Sequence, residues 1–120
     1  VVCSVLPSTT QTAGIADQAF FDAMRDGAYF ANAGRGDLVD QRALVEALAS
    51  GHLSGAALDV CTPEPLPAES PLWDAPNLLL TPHVSGQFHL AVTLDNIVGI
   101  AAENLAHLAA GEALRNHVNA

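Results

Sequence analysis

The sequence contains no lysine and only four arginines, against 13 acidic residues, which gives a formal net charge of −9 over 120 residues. A surface of this charge repels phosphate backbones, which argues against nucleic acid as a partner. No uninterrupted apolar run approaches the roughly 20 residues that a membrane-spanning helix needs, so no membrane partner is expected. No charged segment followed by an apolar one marks a secretory signal, so we expect a cytoplasmic protein.

Cysteine is also scarce, and several catalytic motifs are missing. Cys3 and Cys61 have no C-x-x-C spacing, which predicts small buried residues in a reducing compartment rather than a disulfide or a metal pair. No histidine pair has metal-ligand spacing with a nearby carboxylate, so no metal site is expected. There is no G-x-S-x-G for a nucleophilic serine, and Gly34-Arg35-Gly36 lacks the third glycine of a dinucleotide fingerprint.

Short apolar runs alternate with amphipathic segments along the chain. The runs predict buried strands at residues 1–5, 28–32, 55–58 and 78–80. Strands that alternate with helices predict an α/β fold, with a parallel sheet and helical crossovers. Because a native chain rarely begins inside a strand, we expect that the true start precedes residue 1.

Three helices are predicted between and after these strands. Asp17 caps the first, which ends before Gly27, and Asp40 caps the second, which Gly51 ends. The third runs from about residue 87 to residue 110. Its apolar residues cover more than one face, which suits a helix trapped between two bodies. Seven of them form one apolar stripe along the helix: Leu90, Leu94, Ile97, Val98, Ala101, Leu105 and Leu108.

Polar side chains follow the predicted strands at the points where the strands end. Arg35 follows the second strand, Asp59 and then Glu64 follow the third, and His83 follows the fourth. Crossovers of one hand place the carboxyl ends of parallel strands at one edge, where ligands bind. The sequence therefore predicts that these side chains share one crevice.

Arg35, Glu64 and His83 each have an ordinary interpretation when taken singly. The histidine could bond a loop carbonyl, the carboxylate could be a solvated surface group, and the arginine could simply be exposed. Together they suit one reaction. A carboxylate favours the protonated imidazole and orients it, and an arginine binds a substrate carboxylate with two hydrogen bonds. With a hydride donor, such a set reduces a 2-keto acid to a 2-hydroxy acid.

Four segments carry a resemblance to a known family: P-S-T-T-Q-T, N-A-G-R-G-D-L-V-D, G-A-A-L-D-V-C-T-P-E-P-L-P and N-L-L-L-T-P-H-V-S-G. In this order they resemble the D-isomer-specific 2-hydroxyacid dehydrogenases over nearly the whole chain. The resemblance implies an incomplete Rossmann-type fold. Residues 1–86 would be the C-terminal half of the dinucleotide-binding domain, and residues 87–120 a long helix and tail that return to an absent substrate domain. Because the glycine-rich phosphate loop is absent too, we expect the 120 residues alone to be inactive.

The resemblance also implies a role for each matched residue. Arg35 would bind the substrate carboxylate and polarise the keto oxygen, His83 would be the acid/base, and Glu64 would be its partner. The cofactor, NAD or NADP, would contact residues at the strand ends. These are Leu6, Pro7 and Thr12 on the adenosine side, Ala33, Gly34 and Arg35 on the nicotinamide side, and Asp59 at the carboxamide with His83, Ser85 and Gly86 nearby.

The activity implied is hydride transfer between NAD(P)H and a small 2-keto acid or D-2-hydroxy acid. The run F-H-L-A-V-T-L-D-N-I is most similar to members that act on glyoxylate or hydroxypyruvate. A homodimer is expected, since family members commonly dimerise through the cofactor domain. Two alternatives stay open. One is a non-catalytic dinucleotide sensor or co-repressor-like module of the same fold, and the other is a degraded fragment that fails to fold and exposes its long helix.

Overall fold

The computed structural model describes residues 1–86 and 90–117. It divides into two compact units, Val1–Gly86 and Gln87–Ala120. The first unit holds the whole sheet and two helices, and the second holds one long helix. The assignment of these units to a dinucleotide-binding domain and to a segment that returns to a substrate domain stays a prediction.

Four strands form one parallel sheet in the order β1-β2-β3-β4, which confirms the predicted sheet. In register, Asn32 at the end of β2 lies beside Ser4 and Leu58, and Leu58 lies beside Leu80. All four strands therefore end at the same edge. Their bounds are β1 Val2–Ser4, β2 Ala28–Asn32, β3 Leu53–Leu58 and β4 Leu78–Leu80.

Helices α1 (Gln18–Asp22) and α2 (Gln41–Ala49) connect the first three strands, as predicted. The Asp17 carboxylate accepts the Phe20 N–H at 2.9 Å, and Asp40 caps α2 in the same way. These bonds satisfy donors that a helix start leaves without a partner. The connection from β3 to β4 is the proline-rich loop, which contains a short 3-10 helix at Pro71–Asp74.

One hydrophobic core joins the sheet to α1 and α2. The rings of Phe20, Phe21 and Phe30 meet edge to face, with centroids 5.2 to 6.0 Å apart, a favourable aromatic geometry. Each fully buried large apolar side chain contributes about 1.5–3 kcal/mol. The largest of these are Phe21, Phe30, Leu44, Leu53, Leu58 and Leu72.

The prediction that the first strand and Cys3 are buried is wrong. Val2 is 39% exposed and Cys3 is exposed, because in the described residues β1 lies at the sheet edge with β2 as its only neighbouring strand. Cys61 is partly buried. Burial raises the pKa of its thiol, and the charges of Glu64 and Asp59 add to this, so the thiol stays protonated near neutral pH.

The second unit contains α3, Ala91–Ala110, which follows Leu90 as N-cap. The predicted start near residue 87 lies outside the described residues. Gly111 ends the helix in the left-handed region at a φ of 71°, and its N–H bonds the Leu108 carbonyl. No described residue of α3 is buried, so its apolar stripe is exposed. Within the described residues, no helix has the length and hydropathy needed to cross a membrane.

His52 ties the start of β3 to the segment after α1. Its Nδ1 lies 2.7 Å from Asp26 Oδ1, and its Nε2 lies 2.9 Å from the Phe21 carbonyl oxygen. Both ring nitrogens therefore face acceptors, and only the protonated imidazole donates to both. The hydrogen bonds to the Phe21 carbonyl and the Asp26 carboxylate raise the pKa of His52, and the charge of Asp22 raises it a little further. Partial burial opposes these effects by lowering the pKa.

We expect the His52 interaction to make stability depend on pH. Because the folded-state pKa is raised, the stabilisation is fully present below the unfolded value of about 6.5 and is lost as pH rises through the folded value. The measurement is urea unfolding followed by the fluorescence of Trp73, from about pH 5 to pH 8.5. The midpoint difference between the wild type and His52→Gln should shrink as pH rises. Asp26→Asn should weaken this pH dependence, and a difference that is constant with pH would contradict the prediction.

Candidate active site

Asn32, the last residue of β2, shapes the loop that carries Arg35. Its buried side chain accepts the Gly34 N–H at 3.0 Å and donates to the Arg35 carbonyl at 2.8 Å. The Arg35 side chain is itself largely exposed and donates to the Gly34 carbonyl. Our sequence analysis did not single out Asn32. The signal available in the sequence was a polar amide directly after an apolar run, because such a group needs hydrogen-bond partners if the strand end is buried.

The glycines on either side of Arg35 let three loops approach one another. A Cβ on Gly34 would lie 2.5 Å from the Leu6 carbonyl oxygen, in the loop after β1. A Cβ on Gly36 would overlap the Cys61 backbone, in the loop after β3. Only glycine fits at both positions, so the spacing that resembles a dinucleotide fingerprint serves loop packing in this structure.

The loop after β1 carries the residues predicted for the adenosine side of the cofactor. Thr12 Oγ1 donates to the Pro7 carbonyl at 2.7 Å, and Leu6 is 42% exposed. Ser8 donates to the Asp37 carboxylate at 2.5 Å, which ties this loop to the segment after Arg35. Leu6, Pro7 and Thr12 thus lie in one loop beside Gly34.

Glu64 and His83 form a hydrogen-bonded pair, as the sequence predicts. His83 Nδ1 lies 2.8 Å from Glu64 Oε2, and the other carboxylate oxygen accepts the Cys61 N–H at 2.8 Å. The bond from His83, helped by the one from Cys61, lowers the pKa of Glu64. The ionised carboxylate accepts, so Nδ1 carries the hydrogen. Within residues 1–86 and 90–117, Nε2 has no hydrogen-bond partner, which leaves it available to a ligand.

Asp59 is buried, and its carboxylate accepts four hydrogen bonds. Thr81 Oγ1 and the Val84 N–H bond one oxygen, and the N–H and Oγ of Ser85 bond the other. Burial alone would raise the pKa of this group, but the four donors outweigh it and hold the pKa well below its usual range. In this structure Asp59 therefore holds the segment around His83, and its contact with a nicotinamide carboxamide stays a prediction.

The three predicted catalytic residues line one cavity at the carboxyl edge of the sheet. Arg35, Glu64 and His83 share a cavity of about 260 Å³ with Ser8 and Asp37. A second cavity of about 680 Å³ has an apolar wall and also borders Glu64 and His83. Its apolar lining is Pro65, Leu66, Trp73, Leu80 and Pro82. Across the described residues, no three metal-ligating side chains come together.

The residues that the resemblance assigns to the cofactor lie in neighbouring loops at the carboxyl edge of the sheet, and their contact with a dinucleotide stays a prediction. Ala33, Gly34 and Arg35 lie beside the loop of Leu6, and the Ala33 N–H continues the ladder to Ser4. Ser85 follows His83 in the turn that Asp59 holds, and a Cβ on Gly86 would meet no atom within 4 Å, so the backbone there is open to a ligand. The sequence contains no G-x-G-x-x-G, so the backbone donors that such a loop offers to a pyrophosphate are not supplied by these residues.

A parallel α/β sheet with polar side chains at its carboxyl edge has the arrangement in which Rossmann-type proteins bind their ligands. Residues 1–85 match the family described as D-isomer specific 2-hydroxyacid dehydrogenase, NAD binding domain. The chain belongs to the D-isomer-specific 2-hydroxyacid dehydrogenase family. The fold is accordingly Rossmann-type and incomplete, as predicted.

Individual relatives agree with this assignment. The chain is 41% identical over 119 residues to glyoxylate/hydroxypyruvate reductase A of Salmonella paratyphi B, and it spans 37% of that protein's length. Its fold matches a D-isomer specific 2-hydroxyacid dehydrogenase of Xanthobacter autotrophicus Py2, solved with NADPH and MES. The TM-score is 0.85 at 37% identity, over 98% of this chain and 48% of that one. An NADPH-dependent glyoxylate/hydroxypyruvate reductase of Sinorhizobium meliloti gives a TM-score of 0.81 at 35% identity, over 98% of this chain and 37% of that one.

We expect Gly36→Ala to destabilise the first unit by about 1–3 kcal/mol, because the added methyl group overlaps the Cys61 backbone. Urea unfolding followed by Trp73 fluorescence reports on this unit. Gly99→Ala is the matched control, since a Cβ there meets nothing within 4 Å and alanine favours a helix. Gly99→Ala should leave the Trp73 transition unchanged. Equal midpoints for the two variants would show that the loops do not need the close approach.

Proposed function

We propose that this chain supplies the acid/base pair and the substrate-binding arginine of an NAD(P)-dependent D-2-hydroxyacid dehydrogenase. The reaction is hydride transfer between NAD(P)H and a small 2-keto acid, which gives a D-2-hydroxy acid. The observation that carries the proposal is the shared cavity of Arg35, Glu64 and His83, in which His83 Nδ1 is bonded to Glu64 and Nε2 is left for a ligand.

Each residue has a separate task in the proposed reaction. The Arg35 guanidinium offers two parallel N–H groups to the substrate carboxylate and orients the keto group. His83 donates the Nε2 proton to the keto oxygen as negative charge develops there, and it takes the proton back in the reverse direction. Glu64 keeps the imidazole oriented and stabilises its positive charge. A bound nicotinamide dinucleotide would supply the hydride.

The substrate and cofactor forms are inferred from the relatives. Glyoxylate/hydroxypyruvate reductases from Salmonella and Sinorhizobium meliloti match nearly the whole chain, which favours glyoxylate or hydroxypyruvate as the substrate. The Xanthobacter relative was solved with NADPH and the Sinorhizobium relative with NADP, which favours NADP(H) over NAD(H). A homodimer and a cytoplasmic location stay predictions. The experiment below distinguishes the dehydrogenase from the alternative of a non-catalytic dinucleotide sensor.

The first test joins this chain to the parts that it does not supply. In a chimera, the chain replaces the segment of Salmonella glyoxylate/hydroxypyruvate reductase A to which it aligns. We expect NADPH oxidation with glyoxylate or hydroxypyruvate by the chimera, and none by the 120-residue chain alone. His83→Ala in the chimera should lower kcat by about 10²–10⁴-fold, because the proton donor is lost.

The unmodified Salmonella protein is the control for the assay, and circular dichroism checks the fold of each variant. His52→Ala is the matched histidine control, since His52 lies away from the cavity. A folded chimera that binds NADPH without turnover on any keto acid would refute the dehydrogenase and support the sensor. Turnover by the 120-residue chain alone would refute its predicted inactivity.

Arg35→Lys should separate substrate binding from proton transfer. Lysine keeps the charge but cannot form the two parallel bonds, so we expect KM for glyoxylate in the chimera to rise by about tenfold or more. Arg42→Lys, an exposed arginine on α2, should leave both constants unchanged. An unchanged KM and kcat in Arg35→Lys would show that Arg35 does not bind the substrate carboxylate.

A further inference from the structure

The side chain of His83 touches Glu64, but its backbone is held by a different set of residues. His83 has a φ of 54°, in the left-handed region that residues other than glycine seldom occupy. Its N–H is shared between the carbonyls of Asp59, at 2.8 Å, and Thr81, at 3.0 Å. The conformation of His83 is therefore set by the residues around it.

Asp59 connects the residues before and after His83 through a single carboxylate. Thr81 Oγ1 donates to Oδ1 at 2.5 Å, and the Val84 N–H donates to the same oxygen at 3.0 Å. Ser85 donates to Oδ2 twice, from its N–H at 3.0 Å and from its Oγ at 2.7 Å. We call Asp59, Thr81, Val84 and Ser85 the Asp59 network.

The hydroxyl groups of Thr81 and Ser85 both donate to the Asp59 carboxylate. Asp59 is 7% exposed, and a carboxylate buried to this degree needs its acceptor positions filled. The hydroxyl groups of Thr81 and Ser85 supply two of the four hydrogen bonds that it accepts. Without these hydroxyls the carboxylate would be free to turn toward water, and the two backbone bonds that hold the turn after His83 would lengthen.

We propose that Thr81 and Ser85 are positioning residues for His83, because their hydroxyl groups orient the Asp59 carboxylate, which holds the Val84 and Ser85 N–H groups directly after His83. The inference rests on the proposed function, since it concerns how the acid/base is held in place. Neither residue touches the Glu64–His83 bond directly, so their effect passes through the Asp59 network.

Amide hydrogen exchange on the 120-residue chain tests the inference without any catalysis. In Thr81→Val, the Val84 and Ser85 amides should exchange at least about tenfold faster, because a hydrogen bond to a charged group is lost. Thr81→Ser restores the hydroxyl and should restore slow exchange. Ser85→Ala removes the other hydroxyl and should have the same effect, and it keeps the test usable if Thr81→Val misfolds.

Kinetics of the chimera give the second readout. Thr81→Val should lower kcat by about 10- to 100-fold and change KM by less than about twofold, because a displaced acid slows proton transfer without weakening substrate binding. Thr81→Ser should recover most of kcat. A rise in KM with kcat unchanged would overturn the inference, and so would wild-type exchange and kcat in both Thr81→Val and Ser85→Ala.

The two proposals fail in distinguishable ways. If the folded parent chimera binds NADPH without turnover but Thr81→Val still speeds exchange at Val84 and Ser85, the Asp59 network is supported and the dehydrogenase is refuted. If the parent chimera is active and Thr81→Val matches it in both exchange and kcat, the dehydrogenase stands and the positioning role of Thr81 is overturned.

Discussion

Parallel pairing of the four strands is the constraint on which every part of the candidate site depends. Because β1 to β4 run in one direction, the residues that follow them emerge at one edge of the sheet. The loop of Leu6, the loop of Arg35, Asp59 and His83 each follow a different strand. No local propensity could bring these four segments together, since they are separated in sequence by helices and by a proline-rich loop.

Two kinds of contact bring the loops at this edge together. Gly34 and Gly36 remove the side chains that would hold the loops after β1 and β3 away from Arg35. Buried polar groups then fix the loop shapes, because each must find partners inside the protein. Asn32 does this for the Arg35 loop, and Asp59 does it for the segment around His83. The exposed side chains of Arg35 and His83 thus project from segments that buried hydrogen bonds hold in place.

The departures from prediction also have a physical cause. The apolar residues Val1, Val2 and Val5 predict that β1 is a core strand, but all three are exposed. The reason is that, in the described residues, β2 is the only strand beside β1. An apolar pattern shows that a strand can be buried, but it does not show whether another element packs against that strand. The same holds for α3, whose apolar stripe matches the prediction while none of its described residues is buried. The chain spans about 37% of the length of the curated relatives that it matches.

The sequence by itself determined the element types, the caps at Asp17 and Asp40, the parallel sheet and the identity of the residues at its carboxyl edge. These follow from periodicity, capping chemistry and the handedness of crossovers, all of which are local or topological rules. The structure was needed to show that His83 bonds Glu64 through Nδ1, that Gly36 lies against the Cys61 backbone, and that Thr81, Val84 and Ser85 donate to the Asp59 carboxylate. Those contacts join residues up to 26 positions apart. They depend on ångström-scale loop geometry, which no spacing in the sequence encodes.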